Sequence, residues 1–363
     1  MTRRLQRVAL FYGTRPQIIK SSVLRRALER DGEVLAVDTG QHYDYELNAL
    51  LYQQLGVAPP DRFLEVGSGS HADQTAAVLM RAASVLQRAE ASAVVVIGDT
   101  NSTLGAALAA AKQRIPVVHV EAGLRAADRL MAEEINRRVV DAVADLLCTP
   151  CERATTILNR ERPDARVIQT GDVTRDVMLE HEKRASPAAE AVADAVAPYV
   201  YCTLHRAELT EDPSLLRAVL TALGSLDQTV ILPLHPRSRA ALGGRIQAGE
   251  FGQALKIVAP VGYLESVSLT KGANAVVTDS GGVQREAYWL GVPCITLRGE
   301  TEWVETVQLG ANQLLHPAEA ASSLKAVLAA CTNAVHGTWS RDAYGTGDAA
   351  DKVAVAVREL LDA

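Results

Sequence analysis

Apolar residues recur along the chain in short unbroken runs rich in β-branched side chains, not in strict alternation. The runs are VALFY (8–12), VLAVD (34–38), AVVVIGD (93–99), PVVHVEA (116–122), DLLCTP (145–150), RVIQTGD (166–172), YVYCTLH (199–205), TVILPLH (229–235), LKIVAP (255–260), AVVTDS (275–280) and PCITL (293–297). Most intervals between them have room for one helix, and PQIIKSSVLRRALER (16–30) and STLGAALAAAKQR (102–114) show helical spacing. Continuous apolar strands alternating with helices predict parallel sheets covered on both faces. The pattern runs twice, with a polar, Ala/Glu-rich helical stretch at 180–197 between. The expected fold is therefore α/β, with two Rossmann-like lobes, residues 1–172 and 173–347, whose parallel sheets face each other across a cleft. The amphipathic final segment, within 348–363, is expected to pack back on the first lobe. Neither an internal repeat nor a low-complexity tract is visible.

Composition agrees with this and narrows the partners. With 363 residues, 48% of them hydrophobic, the chain can bury a sizeable core and is long for one ordinary domain. A net charge of −6 argues against nucleic acid as the main partner, because such binding needs a basic face. Small anionic substrates remain open, since a few local cations suffice. The arginines of MTRRLQRVALFYGTRP precede an apolar stretch too short for a signal peptide, and no later run approaches a membrane span, so a cytoplasmic chain is expected. The cysteines are Cys148, Cys151, Cys202, Cys294 and Cys331, an odd number that suggests free thiols. CTPC (148–151) has the spacing of half a zinc or redox motif, but no second ligand pair accompanies it, and burial at a strand end is the better account.

In an open parallel sheet, ligands sit beyond the carboxyl ends of the strands. Those ends carry Gly13, Thr14 and Arg15; Gly40, Gln41 and His42; Gly98, Asp99 and Thr100; His119 to Glu121; His205 and Arg206; His235; and Asp279 to Gly282. In TDSGGVQREA, Ser280, Gly281 and Gly282 open a helix. Its free N–H groups and dipole favour a diphosphate without any lysine, and a capped, tightly packed helix start is the ordinary alternative. Glu286, one turn in, is placed to accept ribose hydroxyls. In GTRPQIIK, Arg15 and Lys20 offer charge to phosphate, with surface solvation the ordinary alternative for Lys20. Glu133, Glu134 and Arg137 sit at a helix start where carboxylates gain from the dipole, and Glu133 with Arg137 is also an ordinary i, i+4 pair. Glu121 follows a buried strand and is harder to explain that way. His205 is a proton carrier, a phosphate ligand or a structural histidine, and Asp99 an acid–base group or a helix cap.

Taken together, GTRPQIIK, TGQHYD, GDTNSTL, HVEAGLR, EEINR, TLHRAE and TDSGGVQREA, continuing through GVPCITLRGETEWVETV, resemble the non-hydrolysing UDP-N-acetylglucosamine 2-epimerase family. The resemblance covers nearly the whole chain in the same order. It implies a two-lobed GT-B-type fold, a homodimer, and interconversion of UDP-GlcNAc and UDP-ManNAc with no added cofactor and no metal. Carried over motif by motif, it implies acid–base roles for Asp99, Glu121, Glu133 and His205. It likewise implies UDP contacts by Arg15, Ser280, Gly281, Gly282 and Glu286, with Lys20 and Arg137 lining the cleft. Gln41, His42, Arg206 and His235 join them as substrate-binding candidates from the strand ends. Gln17 and Ala132 depart from the pattern, where members often have Glu and Pro. RPQ, GSGSH, LPLHPRSR and PVGYLE equally resemble a branch acting on a UDP-linked 2,3-diacetamido glucuronic acid.

The chemistry expected follows from the substrate carbon. The hydrogen on C2 of a 2-acetamido sugar is not acidified by a carbonyl, and no dinucleotide fingerprint suggests oxidation. Departure of UDP from C1 makes C2–H acidic, a carboxylate removes it, and a glycal and UDP remain to recombine after protonation from the other face. From other classes, a GT-B glycosyltransferase and a non-catalytic UDP-sugar sensor stand as alternatives.

Overall fold

The computed structural model describes residues 7–41, 51–53, 55–183, 190, 192–193, 195–234, 236–243, 246, 249–333 and 337–363. The chain divides into two compact units, Met1–Leu179 with Asp342–Ala363, and Glu180–Arg341. The first holds a sheet of β1 (Arg7–Tyr12), β2 (Glu33–Asp38), β3 (Arg62–Phe63), β4 (Ala93–Ile97), β5 (Val117–Val120), β6 (Leu146–Thr149) and β7 (Arg166–Gln169). Its spatial order is β3-β2-β1-β4-β5-β6-β7, and every pairing is parallel. The second holds β8 (Tyr199–Thr203), β9 (Thr229–Pro233), β10 (Leu255–Val258), β11 (Ala275–Thr278), β12 (Cys294–Thr296) and β13 (Asn312–Leu314), in the order β10-β9-β8-β11-β12-β13, again parallel.

Each of the predicted apolar runs forms a strand, and the central ones are fully buried: Val94, Val95, Val96 and Ile97 expose nothing. A Val or Ile buried this completely contributes roughly 1.5–3 kcal/mol relative to exposure. The strands stop short of the predicted ends for a local reason. Gly98 (φ +66°) and Glu121 (φ +72°) adopt left-handed backbone, which breaks the extended run directly after β4 and β5. The short edge strands β3 and β13 carry no apolar β-branched run, so the hydrophobic pattern does not reveal them.

Several helices position the site: α1 (Arg15–Leu28), α2 (His71–Ala89), α3 (Asn101–Lys112), α4 (Ala132–Val143), α5 (Gly281–Leu290) and α6 (Ala349–Asp362). The alanines of α3 are buried almost all round, and Gly105 lets α2 approach so closely that a Cβ there would lie 2.7 Å from Val78. The terminal helix α6 returns to the first unit. It buries Val353, Ala356 and Val357 and pairs Asp351 with Arg30 at 2.7 Å and Arg358 with Asp31 at 3.3 Å. Among the described residues, no helix is long and apolar enough to cross a membrane.

Strand order reverses once in each sheet, between β1 and β4 in the first and between β8 and β11 in the second. Such reversals open the crevice in which α/β sheets bind ligands. The first reversal is flanked by Gly13 to Arg15 and Gly98 to Thr100, the second by His205, Arg206 and Asp279 to Gly282.

Candidate active site

In the first unit the turn after β4 is held from three sides. The Ile97 carbonyl accepts from Gln17 Nε2 at 2.7 Å and from Thr103 Oγ1 at 2.7 Å. The Gly98 carbonyl lies 2.8 Å from His119 Nε2, and the Asp99 carbonyl accepts from Asn136 Nδ2 at 2.8 Å. The Asp99 carboxylate, half-buried, accepts from Arg137 Nε at 2.9 Å and Nη2 at 2.5 Å. Asp99 is thus not the helix cap: Thr100 caps α3, its side chain accepting from the Thr103 amide. One strand over, Glu121 Oε2 forms an ion pair with Lys20 Nζ. Lys20 is only 9% exposed, so it is no solvated surface residue. A pair this buried is worth keeping intact, because removing one partner strands the other charge.

On helix α4, Arg137 turns to Asp99 and, at 3.3 Å, to Glu134. Glu134 is fully buried, bonded also by Arg138 Nε at 2.7 Å and the Ala126 amide at 2.9 Å, which makes it a strut. Glu133 is exposed, one residue before it. Gln41 Oε1 accepts from the Ser102 amide at 3.0 Å and hydroxyl at 2.8 Å, tying the end of β2 to α3. Arg15 is half-buried as the first residue of α1, which places Pro16 second in the helix rather than first. His42 and His235 lie outside the described residues.

In the second unit Asp279 organises the site. It is 1% exposed, and its Oδ2 accepts the backbone amides of His205 and Arg206, each at 2.8 Å. Its Oδ1 lies 3.4 Å from His205 Nδ1, while the rest of the His205 side chain is 40% exposed. Ser280 caps α5 by accepting from the Val283 amide at 3.4 Å. The amides of Gly281 and Gly282 head the helix with no hydrogen-bond partner among the described residues, the arrangement an incoming anion can use. Behind them the Arg285 guanidinium stacks 3.7 Å over the Trp303 ring and donates through Nε to the Gly281 carbonyl at 3.1 Å. Glu286 is buried at 6% exposure.

The cysteines are all free and buried, and burial pushes the Cys148 and Cys294 thiols up to about 12 and Cys331 to about 11.

Sequence comparison fits this geometry. A model of the UDP-N-acetylglucosamine 2-epimerase family matches residues 26–358. The chain belongs to that family. Members of the UDP-N-acetylglucosamine 2-epimerase family are isomerases, and the two parallel-sheet units are those of a GT-B-type fold. The UDP-2,3-diacetamido-2,3-dideoxy-D-glucuronate 2-epimerase of Pseudomonas aeruginosa is 41% identical over 318 residues, 85% of this chain and 88% of that one. The UDP-N-acetylglucosamine 2-epimerase of Methanocaldococcus jannaschii is 38% identical over 322 residues, again 85% of this chain and 88% of the relative. A crystal structure of the M. jannaschii UDP-GlcNAc 2-epimerase in complex with UDP-GlcNAc and UDP aligns with a TM-score of 0.89 and 36% identity. It covers 99% of this chain and 100% of that one.

For this member of the UDP-GlcNAc 2-epimerase family, reading the sequence assigned no role to Gln17, His119, Asn136 or Asp279. Gln17 had a usable signal in its departure from the usual Glu. Its amide donates to the Ile97 carbonyl while its oxygen accepts the Gly13 amide at 2.9 Å and the Thr14 amide at 3.2 Å. A carboxylate could make the second set of bonds but not the first.

Proposed function

We propose that this chain is a non-hydrolysing 2-epimerase that interconverts UDP-GlcNAc and UDP-ManNAc. The observation that carries the reading is the turn holding Asp99, three carbonyls deep in side-chain donors, next to the Glu121–Lys20 pair. Carboxylates fixed to this degree suit transfer of a proton at one defined carbon. In the proposed reaction the bond from C1 to the β-phosphate oxygen breaks and UDP leaves with the electron pair. The C2 proton passes to a carboxylate, and C1 and C2 become doubly bonded. A second acid group then delivers a solvent-exchanged proton to C2 from the opposite face, and the phosphate oxygen re-forms its bond to C1. Asp99, Glu121, Glu133 and His205 are assigned the proton transfers.

The leaving diphosphate is assigned to Ser280 and the Gly281 and Gly282 amides, with Arg15 adding charge. Donors aimed at an oxygen that gains charge as the bond breaks stabilise the transition state more than the ground state. Glu286 is assigned the ribose. Lys20, Gln41, His42, Arg137, Arg206 and His235 are assigned to substrate binding and orientation.

A second reading, the UDP-linked 2,3-diacetamido glucuronic acid as substrate, is favoured by the 41% identity to the P. aeruginosa relative that carries that name. The reading also includes a homodimer, checked by light scattering on the purified chain. The decisive experiment incubates each UDP-sugar with the protein in heavy water and follows C2 by NMR. Deuterium at C2 with UDP still attached and both epimers present supports the proposal, and the faster substrate settles the branch. Free ManNAc with UDP would mean hydrolysis. Transfer to an added acceptor without exchange at C2 would mean a glycosyltransferase and would overturn it.

A further inference from the structure

We infer that His119 is a positioning residue, a buried imidazole that donates from both ring nitrogens and so locks the turn bearing Asp99. The inference rests on the proton chemistry proposed above and adds to it a residue that touches no substrate.

His119 lies in β5 and is fully buried. Its Nε2 is 2.8 Å from the Gly98 carbonyl oxygen, which can only accept, so Nε2 carries a hydrogen. Its Nδ1 is 2.7 Å from Asp141 Oδ1. The other Asp141 oxygen accepts from Arg125 Nη1 at 2.7 Å and from the Gly123 amide at 3.3 Å. Asp141, held at that oxygen by a guanidinium and a backbone amide, is a carboxylate that accepts at Oδ1, so Nδ1 also donates. A ring that donates twice is an imidazolium, here paired with Asp141 in the interior. A singly protonated ring would instead set a nitrogen lone pair at hydrogen-bond distance from either the Gly98 oxygen or the Asp141 carboxylate.

The consequence lies at the turn. Gly98 has φ +66° and donates its amide to the Val120 carbonyl at 2.9 Å, and a Cβ on it would come within 3.3 Å of Glu121 Oε2. The same peptide leads directly into Asp99, while His119 itself is two residues before Glu121. One buried ring thus fixes the strand ends carrying two assigned carboxylates, one through its hydrogen bond and one through its own backbone. Behind it the charges alternate outward, from Asp141 to Arg125 to the more exposed Glu161. A charge-assisted bond to a peptide oxygen resists displacement better than a neutral one. The turn can then stay in place as protons arrive at and leave the neighbouring carboxylates.

Two measurements test this. In the full-length protein with ¹⁵N-labelled histidine at pH 7, both His119 ring nitrogens are expected to show protonated shifts, with a slowly exchanging Nε2–H. A deprotonated nitrogen on that ring overturns the inference whatever the protein catalyses. In the exchange assay, His119→Phe is expected to lower kcat about 100-fold with KM within about threefold, and His119→Gln, which keeps one donor, to recover roughly tenfold. A folded Phe variant with lower thermal stability but unchanged kcat would assign His119 to the fold alone. Should the Phe variant fail to fold, the spectrum of the unmodified protein still decides. If the spectrum is as expected but no UDP-sugar exchanges at C2, the proposed function fails and the double donation stands.

Discussion

The two units share a build, a parallel sheet whose order reverses once, yet they equip the reversal in opposite ways. In the first, charged side chains are already spent on one another: Lys20 on Glu121, Arg137 on Asp99. In the second, the carboxylate at the reversal, Asp279, is spent on two backbone amides, and the start of α5 is left to Gly281 and Gly282. The start of α6, in the first unit, shows the contrast on a second helix. There Asp176 Oδ1 accepts from the Ala350 amide at 2.8 Å, so the protein fills that helix end with a carboxylate of its own. A region of paired charges suits proton transfer at a fixed place, and an open helix end suits a charge arriving from outside.

The contrast can be broken by separating catalysis from binding. Asp99→Asn keeps an acceptor for Arg137 but removes the base, so kcat in the exchange assay is expected to fall about 1000-fold while UDP affinity by calorimetry changes less than about twofold. Equal losses in both would mean that the first unit is not specialised for proton transfer. His205→Asn removes the ring that faces Asp279, and a fall in kcat of about 100-fold is expected, again with UDP affinity little changed.

The filled helix end yields a stability prediction. Burial pushes the Asp176 carboxyl up to about 6 despite the pull of the Ala350 and Ala349 amides, and its Oδ2 is buried without a partner among the described residues. A carboxyl raised in the folded state contributes stability that is fully present below its unfolded pKa of about 3.9 and is lost as pH rises through about 6. Asp176→Asn is therefore expected to match the unmodified protein near pH 4 and to exceed it by about 1–3 kcal/mol at pH 7 in denaturant unfolding. A difference independent of pH would remove the contrast between the two helix ends. The smallest effect is expected at the open end. Gly281→Ala places a methyl 3.4 Å from Trp303 Nε1, where phosphate would approach, and is expected to weaken UDP roughly tenfold with stability within about 1 kcal/mol.

Much of this was legible from the chain alone, and the residues show why. AVVVI and VVHV read as buried parallel strands because each is apolar on both faces, and SGG before a helical pattern reads as an anion-ready start. Helical spacing offers Arg137 the nearby Glu133, whereas the structure pairs it with Asp99, 38 positions earlier in the sequence. Separation in sequence also hides Asn136, whose amide reaches the Asp99 carbonyl 37 positions away, and His119, whose partner Asp141 is 22 positions away on a different element. Nothing near Lys20 in sequence announces its partner Glu121.

Local pattern alone therefore determined the alternation of strands and helices, the doubling of the sheet and the residue types at the strand ends. Those features follow from burial and backbone preference, which act within a few residues. Which charge meets which, and which carbonyl a histidine holds, was decided only by tertiary structure. Electrostatic and hydrogen-bond partners are chosen by distance in space, and parallel strands joined by helical crossovers bring together residues that are far apart in sequence.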